Sequence, residues 1–484
     1  MKIIHLPYCF YPDAVGGTEA YVEQLCRGLD AHGVVSIIAA PASIPAKYKH
    51  EGRSVHRFRV VQEAKDLREL YGNGDLEAAQ QFANILDEEQ PDLVHMHAFT
   101  RGTSLRLMRE AKRRGLNVVF TYHTPTVSCQ RGTLMLWGRE ICDGVLDVHR
   151  CASCTLHGLG AKQTIARILG SLPPALCGLL GNCGLQGGAW TALRMSELVE
   201  LQHSAFQALM QEVDRVVALC QWTKDLLVNN GVPVEKITLC RHGISQVSEV
   251  RGQVSEVSEE CGEQMANGQS HNSDSEIRNP QFEIRNSQFP LKIAFLGRLD
   301  ATKGPDVLIQ AVRTLRNVSV QLDLYGIIQS DGGGAYLEQL KRLAENDSRV
   351  RFLSTVPSNG IVSLLKRYHF LAVPSRWLET GPLVVLEAFA AGIPVIGSDL
   401  GGIAELVQHE TNGLLVETDS ISAWSQTIRR CCDDRAFLEH LRRGVHSPRG
   451  MDAVADEMLS LYRQAVNLEQ SDNEYANREI HASS

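Results

Sequence analysis

Phe370-Leu-Ala-Val-Pro-Ser-Arg-Trp-Leu-Glu379-Thr-Gly-Pro-Leu-Val-Val-Leu-Glu387-Ala-Phe-Ala-Ala-Gly392-Ile-Pro-Val-Ile396 decides the fold. Its two short apolar runs, 370–373 and 394–396, bracket a helix-length apolar segment that opens at Pro382. A strand, a helix and a strand in that order pair in parallel and wind a sheet with helices on its faces. Outward from this unit the same alternation continues, with strands expected at 292–296, 320–325 and 350–353 and helices at 305–315 and 336–344. The chain's first half repeats the pattern. Strands are expected at 2–6, 34–39, 93–97 and 118–122, and helices at 18–29, 78–86 and 105–114. Two doubly wound α/β domains follow, and such sheets take ligands beyond the carboxyl ends of their strands. Gly16-Gly17, His97 and His123 all fall at such ends.

The expected organisation is a first domain over 1–245, with a cysteine-rich insertion at about 128–190, and a second over 291–448. An amphipathic helix, 452–465 within a closing segment 449–468, precedes a polar flexible tail, 469–484. Residues 246–290 contain no Leu, Trp or Tyr and repeat Glu-Ile-Arg-Asn-(Pro/Ser)-Gln-Phe back to back. Such a composition buries too little apolar surface to offset chain entropy, so this segment reads as a disordered insertion.

The 484 residues are 44% hydrophobic and 21% charged, which excludes a fibrous repeat and a polytopic membrane protein. Net charge −8, from 48 Lys+Arg against 56 Asp+Glu, offers no overall attraction to nucleic acid. Met1-Lys2 runs straight into a buried-strand pattern rather than a secretory leader. With 13 cysteines and no export signal, the expectation is a cytoplasmic protein with reduced thiols.

Three motifs carry chemistry. In the opening stretch, Pro382 fits the first helical position, the amides of Leu383 and Val384 face an anion, and Glu387 is placed to accept both hydroxyls of a ribose. An ordinary amphipathic helix with one solvated Glu has the same spacing. The second is Phe295-Leu-Gly297-Arg298-Leu-Asp-Ala-Thr-Lys303-Gly304, where a strand ends and two cations precede a helix. Such a pair can neutralise a departing diphosphate without a metal. The third is Gly16-Gly17 between the first strand and its helix, where a backbone can approach a ligand closely. Neither a G-x-G-x-x-G fingerprint nor a P-loop occurs, which disfavours a dehydrogenase or a P-loop ATPase.

These motifs, with His123 in Thr-Tyr-His-Thr-Pro, Ala391-Gly392-Ile-Pro-Val and Gly401-Gly-Ile-Ala-Glu405, resemble the retaining GT-B glycosyltransferases of family 4, the glycosyl transferases group 1. The resemblance implies two Rossmann-like domains about a cleft, the second holding a nucleotide-sugar donor and the first an acceptor. The closing helix would cross back onto the first domain. It also implies that Arg298 and Lys303 lie on the diphosphate and Glu387 on the ribose. Glu379 and His123 would stand near the donor sugar, with Gly16-Gly17 over the phosphates. No metal or other cofactor is implied in catalysis. Departures from the family pattern are Pro382 where Gly is usual, His242-Gly243 where Asn-Gly is common, and Cys220 where a Ser often stands.

Cys129, Cys142, Cys151 and Cys154 have the spacing C-x12-C-x8-C-x2-C. They are candidate ligands of a structural zinc, with buried free thiols or a redox pair at Cys151/Cys154 as the alternatives. The apolar stretch 164–190, broken by Pro173-Pro174, is a lid or hairpin that could also touch a membrane surface. The expected activity is sugar transfer from a UDP- or GDP-linked donor to a glycan, lipid-linked or small-molecule acceptor, as in polysaccharide or glycoconjugate synthesis. A synthase acting on a sugar phosphate and a silent nucleotide-binding scaffold are the rivals.

Overall fold

The computed structural model describes residues 1–13, 16–61, 64, 66–183, 187–245, 289–327 and 333–482, with 327, 333 and 467–482 as backbone alone. The expected disordered insertion, 246–290, lies outside the described residues except for its last two positions.

The first sheet contains β1 (Lys2–Leu6), β2 (Val35–Ala42), β3 (Ala46–His50), β4 (Arg53–Arg59), β5 (Leu93–Met96), β6 (Asn117–Tyr122), β9 (Arg215–Ala218) and β10 (Ile237–Leu239), in spatial order β10-β9-β6-β5-β1-β2-β4-β3. A separate two-stranded ribbon pairs β7 (Met135–Leu136) with β8 (Glu140–Ile141). All pairings in the first sheet are parallel except the edge hairpin β3–β4. The second sheet comprises β11 (Leu291–Arg298), β12 (Val320–Ile327), β13 (Val350–Leu353), β14 (Phe370–Val373), β15 (Val395–Ser398) and β16 (Gly413–Val416). Its order is β13-β12-β11-β14-β15-β16, parallel throughout. Central strands β5, β6 and β14 are buried along their whole length, as helices covering both faces require. Residues that follow strands of the two sheets meet, His123 after β6 with Thr380 after β14, and Gly17 after β1 with Leu383.

The sequence patterning did not anticipate β3, β4, β9, β10 or β16. Ala-Lys-Tyr-Lys-His, the β3 segment, is a charged edge strand with little apolar signal. Its hairpin partner β4, Arg-Ser-Val-His-Arg-Phe-Arg, is as rich in charge, and β9, β10 and β16 are runs of three or four residues, too few for periodicity to register.

The helix Met451–Ala482 returns to the first domain. Met451, Val454, Met458 and Tyr462 join Tyr21, Val22, Leu25 and Leu29 of the helix Gly17–Asp30 in one core. A Cβ on Gly28 would lie 2.7 Å from the Cβ of Ala455, so the two helices touch backbone to backbone there. The crossing is tied at the hinge, where Ile244 N donates to Arg449 O and Met451 N to Ile244 O, each at 3.0 Å. The backbone stays helical to Ala482 where a flexible tail from 469 was expected. Residues 467–482 contain no Pro or Gly to stop it.

Helices Gln163–Gly170 and Pro174–Gly181 meet at 88° across Pro173. Ile165, Ile168, Leu176 and Leu179 stand out from them, Ile168 being 67% exposed and Leu179 66%. Among the described residues no single helix is long and apolar enough to cross a membrane.

Candidate functional site

Arg298 is the last residue of β11, and the loop after it carries Asp300 and the short turn Ala301–Lys303. Gly304 follows at φ +67, and a side chain there would meet the carbonyl of Pro374 at 2.2 Å. Only glycine lets this loop lie against the strand-end loop of β14. That second loop brings Trp377 beneath both cations. The Arg298 guanidinium is 5.9 Å from the indole centroid and the Lys303 ammonium 5.2 Å. The two positive tips thus share one wall of the cleft, each in cation–π range. Arg298 also pairs with Asp300 at 3.1 Å, its side chain 37% exposed.

Glu379, 7% exposed, accepts from Lys303 Nζ at 2.5 Å and from Ser375 Oγ at 2.7 Å. Burial alone would raise its carboxyl, but the ammonium and the hydroxyl outweigh burial and hold it below the usual carboxylate value. Lys303 therefore has two of its three N–H donors left for a phosphate, a sharing that spacing did not reveal. The Glu379 backbone is fixed as firmly, because its carbonyl accepts from Trp222 Nε1 at 3.0 Å and from Gly402 N at 2.7 Å.

The helix Leu383–Ala390 begins four residues after Glu379. Pro382 is its N-cap, at φ −68 and ψ 103, and not its first helical residue as expected. The extended ψ at Pro382 moves the helix start one residue on, and Val385 N already bonds Pro382 O at 3.0 Å. The amides of Leu383 and Val384 precede that bond and remain as donors at the positive end of the helix dipole. Gly17 stands opposite, where an added Cβ would lie 3.8 Å from Leu383 Cδ1. The Gly16 amide is held by Glu19 at 2.9 Å. Glu387, in the second turn, has no charged partner among the causes acting on it, and burial pushes its carboxyl up to about 7.

His123 follows β6 and faces this array across the domain boundary, its carbonyl accepting from Thr380 Oγ1 at 2.5 Å. Behind it lies a row of buried imidazoles that the motif reading left out. His5 Nδ1 meets His97 Nε2 at 3.1 Å, and His97 Nδ1 meets His123 Nε2 at 3.1 Å. Burial holds His5, His97 and His123 well below the usual imidazole value, so the rings are neutral. His5 Nε2 is buried without a partner. Placing each proton on Nδ1 avoids burying an unpaired N–H there and leaves His123 with its Nδ1–H for a ligand. The alternation His95-Met-His97 was the available signal, but paired strand histidines usually serve packing. His95 does so here, bonded to Tyr462 Oη and Thr121 Oγ1, both at 2.7 Å.

Glu405, in the second glycine motif, spans the two domains. It accepts from the Gln221 and Trp222 amides at 2.8 and 2.9 Å, capping the helix Gln221–Asn229, and from Arg241 at 2.7 Å. Cys129, Cys142, Cys151 and Cys154 all line one cavity within the first domain.

Residues 16–243 match the family described as glycosyl transferase 4-like domain, and residues 278–445 match glycosyl transferases group 1. A D-inositol 3-phosphate glycosyltransferase of Corynebacterium glutamicum (strain R) is 34% identical over 195 residues, 38% of this chain and 45% of that protein. Its counterpart in Salinispora tropica is 32% identical over 185 residues, 36% and 38%. The chain thus spans less than half the length of these curated relatives. Sucrose-phosphate synthase from Thermosynechococcus elongatus superimposes with TM-score 0.63 at 18% identity, over 96% of this chain and 99% of that one. Anabaena HepE in complex with UDP and glucose gives TM-score 0.58 at 14% identity, over 96% and 100%.

Proposed function

Since the chain belongs to the glycosyl transferases group 1, with the two-domain GT-B fold, we propose that it moves a sugar from a nucleotide-diphosphate donor to an acceptor hydroxyl with retention at the anomeric carbon. The observation that carries this reading is the shared wall of Arg298, Lys303 and Trp377 beside the helix opening at Leu383. Two cations on one indole, and the two helix-start amides a few residues beyond Glu379, would serve the negative charge that develops on a departing diphosphate. In the proposed step the bond from C1 to the diphosphate oxygen breaks first. The acceptor oxygen attacks the same face within the ion pair, and its proton passes to the departing phosphate oxygen. Leaving-group stabilisation then carries most of the rate. Glu387 binds the ribose, while Glu379 and the His123 Nδ1–H position the sugar.

UDP is the preferred nucleotide, supported by the UDP complexes of the structural neighbour HepE. For the acceptor, the names of the relatives favour a phosphorylated polyol or sugar over a glycan. A lipid-linked acceptor is the second reading, favoured by the exposed apolar elbow around Ile168 and Leu179. Nucleotide release measured over UDP- and GDP-sugars, against inositol phosphate, hexose phosphates and lipid vesicles, tests both. Release that needs a UDP-sugar and a soluble phosphorylated acceptor is expected. Release only with vesicles would replace the acceptor, and none with any pair would refute the transferase.

A further inference from the structure

Cys129 follows the β6 strand end that carries His123, Cys142 closes the β7–β8 ribbon, and Cys151 and Cys154 are three apart on the helix Val148–Gly158. The chain between these points has little regular structure, yet its four thiols converge on one cavity. The other described cysteines do not. Cys26, Cys177, Cys220, Cys240 and Cys431 are buried elsewhere, Cys9 and Cys432 are half-buried, and Cys183 is exposed, none of them lining this cavity.

We propose that Cys129, Cys142, Cys151 and Cys154 hold a metal centre as a tetrathiolate. The Cys142 thiol now donates to Asp143 Oδ1 at 3.8 Å and the Cys154 thiol to the Met135 carbonyl at 3.9 Å, contacts that a bound metal would replace. The Trp137 amide donates to Cys154 Sγ at 3.3 Å, the amide-to-sulfur contact that steadies a bound thiolate. Arg131 donates to the Cys154 carbonyl at 3.2 Å, and Arg150, gripped by Asp143 at 2.6 Å, stands beside Cys142 and Cys151. Spacing C-x2-C puts Cys151 and Cys154 on one face of the helix, about one turn apart.

No cysteine belongs to the described groups of three ligand atoms within 4.8 Å of one another. A single zinc, with sulfurs at about 2.3 Å, would therefore draw the four inward, whereas an iron–sulfur core would span a wider cage. Both use the same four thiolates. The consequence reaches the cleft: Thr133, inside the caged loop, accepts from the Leu378 amide at 3.3 Å, one residue before Glu379. The centre braces the wall that holds Glu379, with no part in bond making.

The test is elemental analysis of the full chain purified without chelator, with absorbance spectra and sulfide assay. About one zinc, or iron with matching labile sulfide, is expected per chain. The Cys151→Ser/Cys154→Ser variant should lose it and Cys183→Ser should keep it. If the double variant does not fold, thiol labelling of the wild type decides. Exposure of four further thiols when the metal is stripped supports the centre, and unchanged labelling overturns it. Metal below about a tenth of an equivalent, or a Cys151–Cys154 disulfide in the isolated protein, also overturns it. Because these readouts need no substrate, their failure leaves the proposed transfer untouched.

Discussion

Glu387 shows how one side chain couples burial to binding. Burial places its carboxyl at about 7, above the ordinary 4.5, so the donor-free protein favours the protonated form. That preference stabilises the fold at low pH and is lost as pH rises through about 7. A ribose diol donates two hydrogen bonds and prefers the carboxylate, so binding should follow ionisation. Nucleoside diphosphate should bind about tenfold more tightly at pH 8 than at pH 6, the ratio of ionised fractions for a group titrating at about 7. Calorimetry across that range checks this, with Glu387→Gln expected to flatten the slope. An equal slope in the variant would take Glu387 off the ribose. Arg298 and Lys303 were legible as a site pair because charge beside a helix start is chemically specific. The grip of Lys303 on Glu379 was not, because it joins residues 76 apart in sequence.

At the scale of elements, helices and central strands could be read where apolar spacing ran for several turns or where proline marked an entry. Pro382 announced the donor-side helix, although its N-cap ψ moved the start by one residue. Glu405 was named within its glycine motif, but its bracing contacts were not read, because its partners are backbone amides nearly two hundred residues away. Its removal should bare the first turn of the helix Gln221–Asn229 and free Trp222 from the Glu379 carbonyl. Glu405→Ala is expected to cost about 1–2 kcal/mol, as loss of a helix cap does, and to raise the donor KM more than it lowers kcat. Thermal unfolding and steady-state kinetics check both. An unchanged Tm and KM would make Glu405 a surface acid with no bracing role.

For the whole molecule, two parallel sheets were legible because strand–helix alternation repeats in each half, and parallel pairing turns every strand end toward the same side. The hinge was not legible. It consists of backbone bonds between Ile244 and residues 449–451 and of the contact between Gly28 and Ala455, none of which leaves a periodic trace. The geometry that matters most is the placing of guanidinium and ammonium on one indole at the mouth between the domains. The helix opening at Leu383 follows a few residues after Trp377, and Gly17 of the first domain stands against Leu383. The direct measurement is kcat/KM for nucleoside diphosphate release by Arg298→Ala against wild type, at saturating acceptor. Loss of a donor that serves developing charge predicts a fall of roughly 10²–10³, largely in kcat. An unchanged value would contradict the claim that this wall holds the departing diphosphate.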